Sequence, residues 1–155
     1  MKRPALLLPL LLLAAISFAS RTRSQIELQY KRWARAALSN DVDGVLAILS
    51  PNYALKTFDG KVIALKDYAT SLRKRKASGK KPATYTTSIE SLSQQGNAVI
   101  VISLETSITQ TPDPITNKLQ KLIHVHQYRD TWLRASGSWK LATTVTLIEK
   151  TTIGR

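Results

Sequence analysis

The chain contains no cysteine, and that absence removes several classes of function at once. No disulfide can staple it, no thiolate can act as a nucleophile, and no lipid can be attached through a cysteine behind a leader. Its core must suffice alone. Histidine occurs only at His124 and His126, and no carboxylate or third histidine stands at a matching short spacing, so a metal site has little to build on. Gly-rich phosphate loops, a nucleophile elbow and zinc motifs are missing as well, which leaves no cofactor to expect. No internal repeat or low-complexity tract is visible. Acidic residues are scarce: ten Asp and Glu face 23 Lys and Arg, a formal net charge of +13 over 155 residues.

The longest apolar run, Ala5 to Ile16, is shorter than the ~20 residues of a membrane span. Lys2 and Arg3 precede it and Ser17-Phe18-Ala19 follows as a small-x-small cleavage signal. Residues 1–19 therefore read as a secretory signal peptide, the alternative being an uncleaved anchor. Residues 20–155 would form one exported domain, secreted or periplasmic. Without Lys2 and Arg3 that domain keeps 21 basic against 10 acidic residues, a net charge of +11.

Six basic residues crowd one segment: Arg73, Lys74, Arg75, Lys76, Lys80 and Lys81. Such a run can hold an acidic surface or polymer, or it can be the solvated end of a helix, where cations suit the macrodipole. No aromatic residue interleaves it, so it offers no stacking platform and no specific nucleic-acid partner is expected.

Helical spacing begins at Ser24, a candidate cap with Glu27 three residues on, and places Ile26, Tyr30, Trp33, Ala37 and Leu38 on one side. That helix should stop near Ser39-Asn40. Asp41 to Leu49 reads as a short second helix ended by Ser50-Pro51-Asn52. Tyr53 to Phe58 and Lys61 to Ile63 read as a hairpin around Asp59-Gly60. Leu65 to Lys76 is a third helix, with Tyr68 and Leu72 inward. Thr84 to Leu92, Ala98 to Gln110, Lys118 to Arg134 and Ser138 to Lys150 read as four longer antiparallel strands. In the second of these, Ile100, Ile102, Leu104, Thr106 and Ile108 share one face and Val99, Val101, Ser103 and Glu105 the other. Helices gathered in front of a meander mean an α+β domain. With one apolar face per strand and three helices to cover it, the sheet must curl around the first helix and leave a conical cavity.

His126, Tyr128, Asp130 and Trp132 alternate along one strand and so share a face. A two-residue turn at Ser136-Gly137 pairs Trp132 with Leu141 and Asp130 with Thr143, on the side of Trp139, Leu141, Val145 and Leu147, towards the core. A three-residue turn sends Asp130 to the other side. Asp130 is the first candidate for a general base, and a structural carboxylate bonded to Arg129, Arg134 or Thr143 is the alternative. Glu105 is a second candidate acid.

Several segments together resemble the nuclear-transport-factor-2-like superfamily, in its SnoaL-like and uncharacterised exported branches. They are Asp41-Val-Asp-Gly-Val-Leu-Ala-Ile-Leu-Ser-Pro-Asn-Tyr53, Phe58-Asp59-Gly60-Lys61, Tyr128-Arg-Asp-Thr-Trp-Leu-Arg134 and Gly137-Ser-Trp-Lys-Leu141. The resemblance implies a cone-shaped, curved antiparallel sheet of about six strands wrapped around a long N-terminal helix, with three helices in all. It also implies a homodimer formed through the sheet, and a pocket between sheet and first helix. Members include isomerases, dehydratases and non-enzymatic binding domains, so the fold does not fix the activity. Tyr30, Trp33, Tyr53, Tyr68 and Trp132 are the expected ligand-lining residues, and Asp130, Tyr128 and His126 the candidate catalytic ones. The first expectation is an exported small-molecule-binding domain without catalysis. A lyase or isomerase based on Asp130, and a module for acidic surfaces based on residues 73–81, are the alternatives.

Overall fold

The computed structural model describes residues 8–154, with side chains described from Ser20 onward. The signal peptide expected over residues 1–19 lies outside the residues whose side chains are described. Helix α1 runs Leu8–Ser39, so Ser24 is inside it rather than at its start. No Gly or Pro interrupts residues 17–23, and the Ser24 hydroxyl donates back to the Ser20 carbonyl at 3.1 Å instead of capping a new helix. Arg23 and Glu27 add an ion pair one turn apart, at 2.9 Å. No helix among the described residues is long and apolar enough to cross a membrane.

α1 ends where expected, and the reason is local. Asn40 takes a left-handed φ of 53°. The Asp41 N–H donates to the Ala36 carbonyl at 2.9 Å and the Asn40 N–H to that of Ala37 at 3.4 Å, closing the last turn. The Asp41 carboxylate then accepts from the Gly44 N–H at 3.0 Å and opens α2, Val42–Leu46. This helix is shorter than expected, because Leu49 already pairs with Leu141 and starts strand β1, Leu49–Lys56. Pro51 cannot donate to that ladder, and the register slips between Leu49 and Ala54.

β2 (Val62–Ala64) returns across the Asp59-Gly60 turn, and α3 spans Leu65–Ala77. Four long strands follow: β3 Thr84–Gln95, β4 Ala98–Pro112, β5 Leu119–Ala135 and β6 Ser138–Gly154. They form one curved sheet in the order β2-β1-β6-β5-β4-β3 that does not close into a barrel. The fold is α+β, as expected. The sheet is mixed rather than purely antiparallel, since β1 lies parallel to β6. Chain direction explains it: β1 reaches the sheet from α2, alongside β6, with no hairpin linking the two.

Cross-strand rungs define the inner face. Val99 pairs with Trp132 and Trp132 with Leu141; Val101 with Asp130 and Asp130 with Thr144; Ser103 with Tyr128; Glu105 with His126. The inner face of β4 is therefore the Val-Ser-Glu side, and the isoleucines Ile100, Ile102 and Ile108 lie half-buried on the outer face. Ile26 and Tyr30 of α1 pack with Val99, Val101, Trp132 and Leu141 to form the core.

Candidate functional site

The β5–β6 turn has two residues, Ser136 and Gly137, both at positive φ (48° and 80°), the hairpin geometry that matches strand twist. Trp132 accordingly pairs with Leu141. A bulge then inserts Ala142, so Asp130 faces Thr144 rather than Thr143. Val145 pairs with Arg129 on the outer face, and a second bulge near Leu147 shifts the ladder again. Asp130 still points inward, because the bulges sit in β6 while β5 keeps its alternation.

Asp130 is 2% exposed, at the floor of the cone. The Tyr30 hydroxyl donates to its Oδ2 at 2.6 Å, Ser103 Oγ to the same oxygen at 2.9 Å, and Thr144 Oγ1 to Oδ1 at 2.7 Å. Trp132 Nε1–H donates to the Tyr30 oxygen at 3.2 Å, and the two rings meet edge to face at 5.2 Å. Burial raises the Asp130 carboxyl above the ordinary value, and the three hydroxyl donors oppose that rise.

Higher in the cone lies a second carboxylate. Glu105 accepts from the Tyr85 hydroxyl, which itself accepts from Trp33 Nε1–H at 2.8 Å. Burial pushes Glu105 up to about 7, against the Tyr85 hydrogen bond; Asp130 adds to the rise and Arg75 opposes it. His126 is stacked on Tyr128 with ring centroids 5.5 Å apart. Its Nδ1 is buried without a hydrogen-bond partner, 3.8 Å from Glu105 Oε1, while its Nε2 is 3.8 Å from Glu149. Burial holds the His126 imidazole below its usual value. The 3.8 Å between Glu105 and His126 Nδ1 is too long for a hydrogen bond, and burial disfavours the charged form of both groups. Burial also raises the phenols of Tyr53, Tyr68, Tyr85 and Tyr128, which remain hydrogen-bond donors at neutral pH.

These groups enclose a cavity of about 310 Å³. Tyr30, Trp33, Tyr53 and Tyr68 line it, as do Asp130, Tyr128 and His126. Trp132, 1% exposed, is packed in the core beneath rather than on the wall. Arg75, Lys80 and Lys81 rim the mouth, whereas Arg73, Lys74 and Lys76 are exposed elsewhere on α3. Tyr85, Ser103 and Thr144 were not singled out by sequence, since a strand Ser, Thr or Tyr carries no mark of the carboxylate it serves. His124 is engaged by Thr109 and Thr151 through its two ring nitrogens. Among the described residues, no three His, Asp or Glu side chains gather to hold a metal ion.

No family model matches the sequence, and no curated protein matches it with significance. Solved structures do match. A scytalone-dehydratase-like protein from Novosphingobium aromaticivorans superposes with a TM-score of 0.68 at 14% identity, over 90% of this chain and 93% of its own. Aln2 from a Streptomyces species gives 0.66 at 15% identity, over 81% and 89%. An NTF2-like protein from Cytophaga hutchinsonii gives 0.60 at 13%, over 80% and 95%. This chain has the nuclear-transport-factor-2-like fold.

Proposed function

We propose that the chain is an exported small-molecule-binding domain, used after removal of residues 1–19, whose ligand sits between α1, α3 and the inner sheet face. One observation carries this reading: a cavity of about 310 Å³ stays open in the middle of a packed domain, walled by the rings of Tyr30, Trp33, Tyr53, Tyr68 and Tyr85 with polar and charged groups set among them. Ligand pockets of ~300–1,000 Å³ commonly have this character. Thermal unfolding with 2-naphthoate as probe tests it, because a ligand that binds only the folded state raises Tm with concentration. Thr87→Trp, on the half-buried edge-strand wall of the cavity, should abolish the rise. No rise at millimolar probe, or an undiminished rise in the variant, contradicts the reading.

A second reading is an acid–base enzyme of lyase or isomerase type, and Glu105 with His126 supports it better than Asp130 alone. Both Asp130 oxygens already accept hydroxyl hydrogen bonds, whereas Glu105 titrates near neutral pH beside an unpartnered imidazole nitrogen. Tyr128 would polarise the substrate. The likeness to a scytalone-dehydratase-like protein agrees with this in fold only. Screening β-hydroxy carbonyl compounds for loss of water would test it. Turnover lost in Glu105→Gln but kept in Asp130→Asn assigns the base to Glu105; the reverse assigns it to Asp130. A homodimer through the outer sheet face completes the proposal, supported by the half-buried aliphatic row on β4 and β5.

A further inference from the structure

We infer that the ligand is an amphipathic organic monoanion, a carboxylic acid with a flat apolar body, held by its carboxylate at the cone mouth between Arg75, Lys80 and Lys81. The inference rests on the binding reading above and adds the ligand's chemistry and orientation. Arg75 belongs to the last turn of α3, and Lys80 and Lys81 to the connection that follows. That connection is fixed in place. Asn40 Nδ2 donates to the Lys80 carbonyl at 3.2 Å, Pro82 is buried, and the Ala83 N–H donates to the Ile108 carbonyl at 2.6 Å.

The rim cations have no carboxylate partner within 4.0 Å among the described residues, whose salt bridges involve only Arg23 and His126. Arg75 nonetheless acts inward: it opposes the rise in Glu105. The cone therefore has an electrostatic gradient. Asp130 at its floor and Glu105 above it offer an anionic group no cation to pair with, and its rim carries three positive charges that attract one. An acid enters body first, with its flat part against Trp33, Tyr53 and Tyr68 and its carboxylate on the rim, where charge-assisted hydrogen bonds are available.

The basic run supplies its own control, since Arg73, Lys74 and Lys76 carry equal charge but do not line the cavity. Calorimetric titration of the purified chain with 2-naphthoate and with its neutral amide, 2-naphthamide, tests the inference. The acid should bind about tenfold more tightly than the amide, as expected for added charged hydrogen bonds. R75Q/K80Q/K81Q, all at exposed positions, should bring the affinity for the acid down to that for the amide in the same variant. R73Q/K74Q/K76Q should retain it. Equal affinity for both probes, no loss in the rim variant, or the same loss in the control overturns the inference and leaves the cavity as the binding site. Binding of neither probe overturns both.

Discussion

Two carboxylates about one cavity, Asp130 buried and Glu105 half-buried, have different characters, and the difference is set by their neighbours. Asp130 is bonded by hydroxyls on both oxygens, which makes it a strut between α1, β4 and β6. Tyr30→Phe removes one of its donors and strands the Trp132 N–H. A destabilisation of about 2 kcal/mol is expected in urea unfolding, with the fold retained. Glu105 has one hydroxyl donor and sits near 7, against an ordinary 4.5. Its folded form binds a proton more tightly than its unfolded form between those values, so its contribution to stability falls as pH rises from about 4.5 to 7 and is level above. His126 acts with the opposite sign, because its lowered value makes the unfolded chain take up the proton first as pH falls. Comparing the chain with Glu105→Gln isolates the first effect. The stability of the variant relative to the parent should grow by up to about 3 kcal/mol from pH 5 to pH 8. Parallel pH profiles would refute the assignment.

At the scale of elements, the sequence displays periodicity well and register poorly. α1, α3 and the four long strands follow from 3.6- and two-residue spacing, and the Ser136-Gly137 turn from its glycine. The two bulges of β6 leave no mark, because Ala142 and Leu147 look like ordinary strand residues; yet Ala142 decides that Thr144 meets Asp130. Alternation in β4 separates two faces without saying which is inward, so the sequence alone does not put Glu105 inside the cone. The parallel β1–β6 pairing is a long-range contact with no local signal. Deleting Ala142 should force either Leu141 off the core or Thr144 off Asp130. We expect the cooperative thermal transition to be lost or strongly lowered, whereas Ala142→Val should keep it. An unshifted transition in the deletion would mean that the bulge does not set the register.

At the scale of the molecule, a one-layer sheet with helices on its inner side exposes an outer face on which Ile100, Ile102, Leu104 and Val125 are only half-covered. A dimer through this face should appear in sedimentation equilibrium, and Ile102→Lys with Leu104→Lys should yield monomer; monomer in the parent chain would rule the dimer out. The central claim, that the cone holds a ligand, has a direct probe in the three indole N–H groups. Trp33 Nε1–H donates to Tyr85 at the cavity wall, Trp132 Nε1–H to Tyr30 beneath its floor, and Trp139 Nε1–H to Gln25 outside it. The measurement is a ¹H–¹⁵N correlation spectrum of the indoles during titration with 2-naphthoate. A saturable shift of the Trp33 signal with Trp139 unmoved is the expected result. A stationary Trp33 signal, or a Trp139 shift of equal size, would contradict the account.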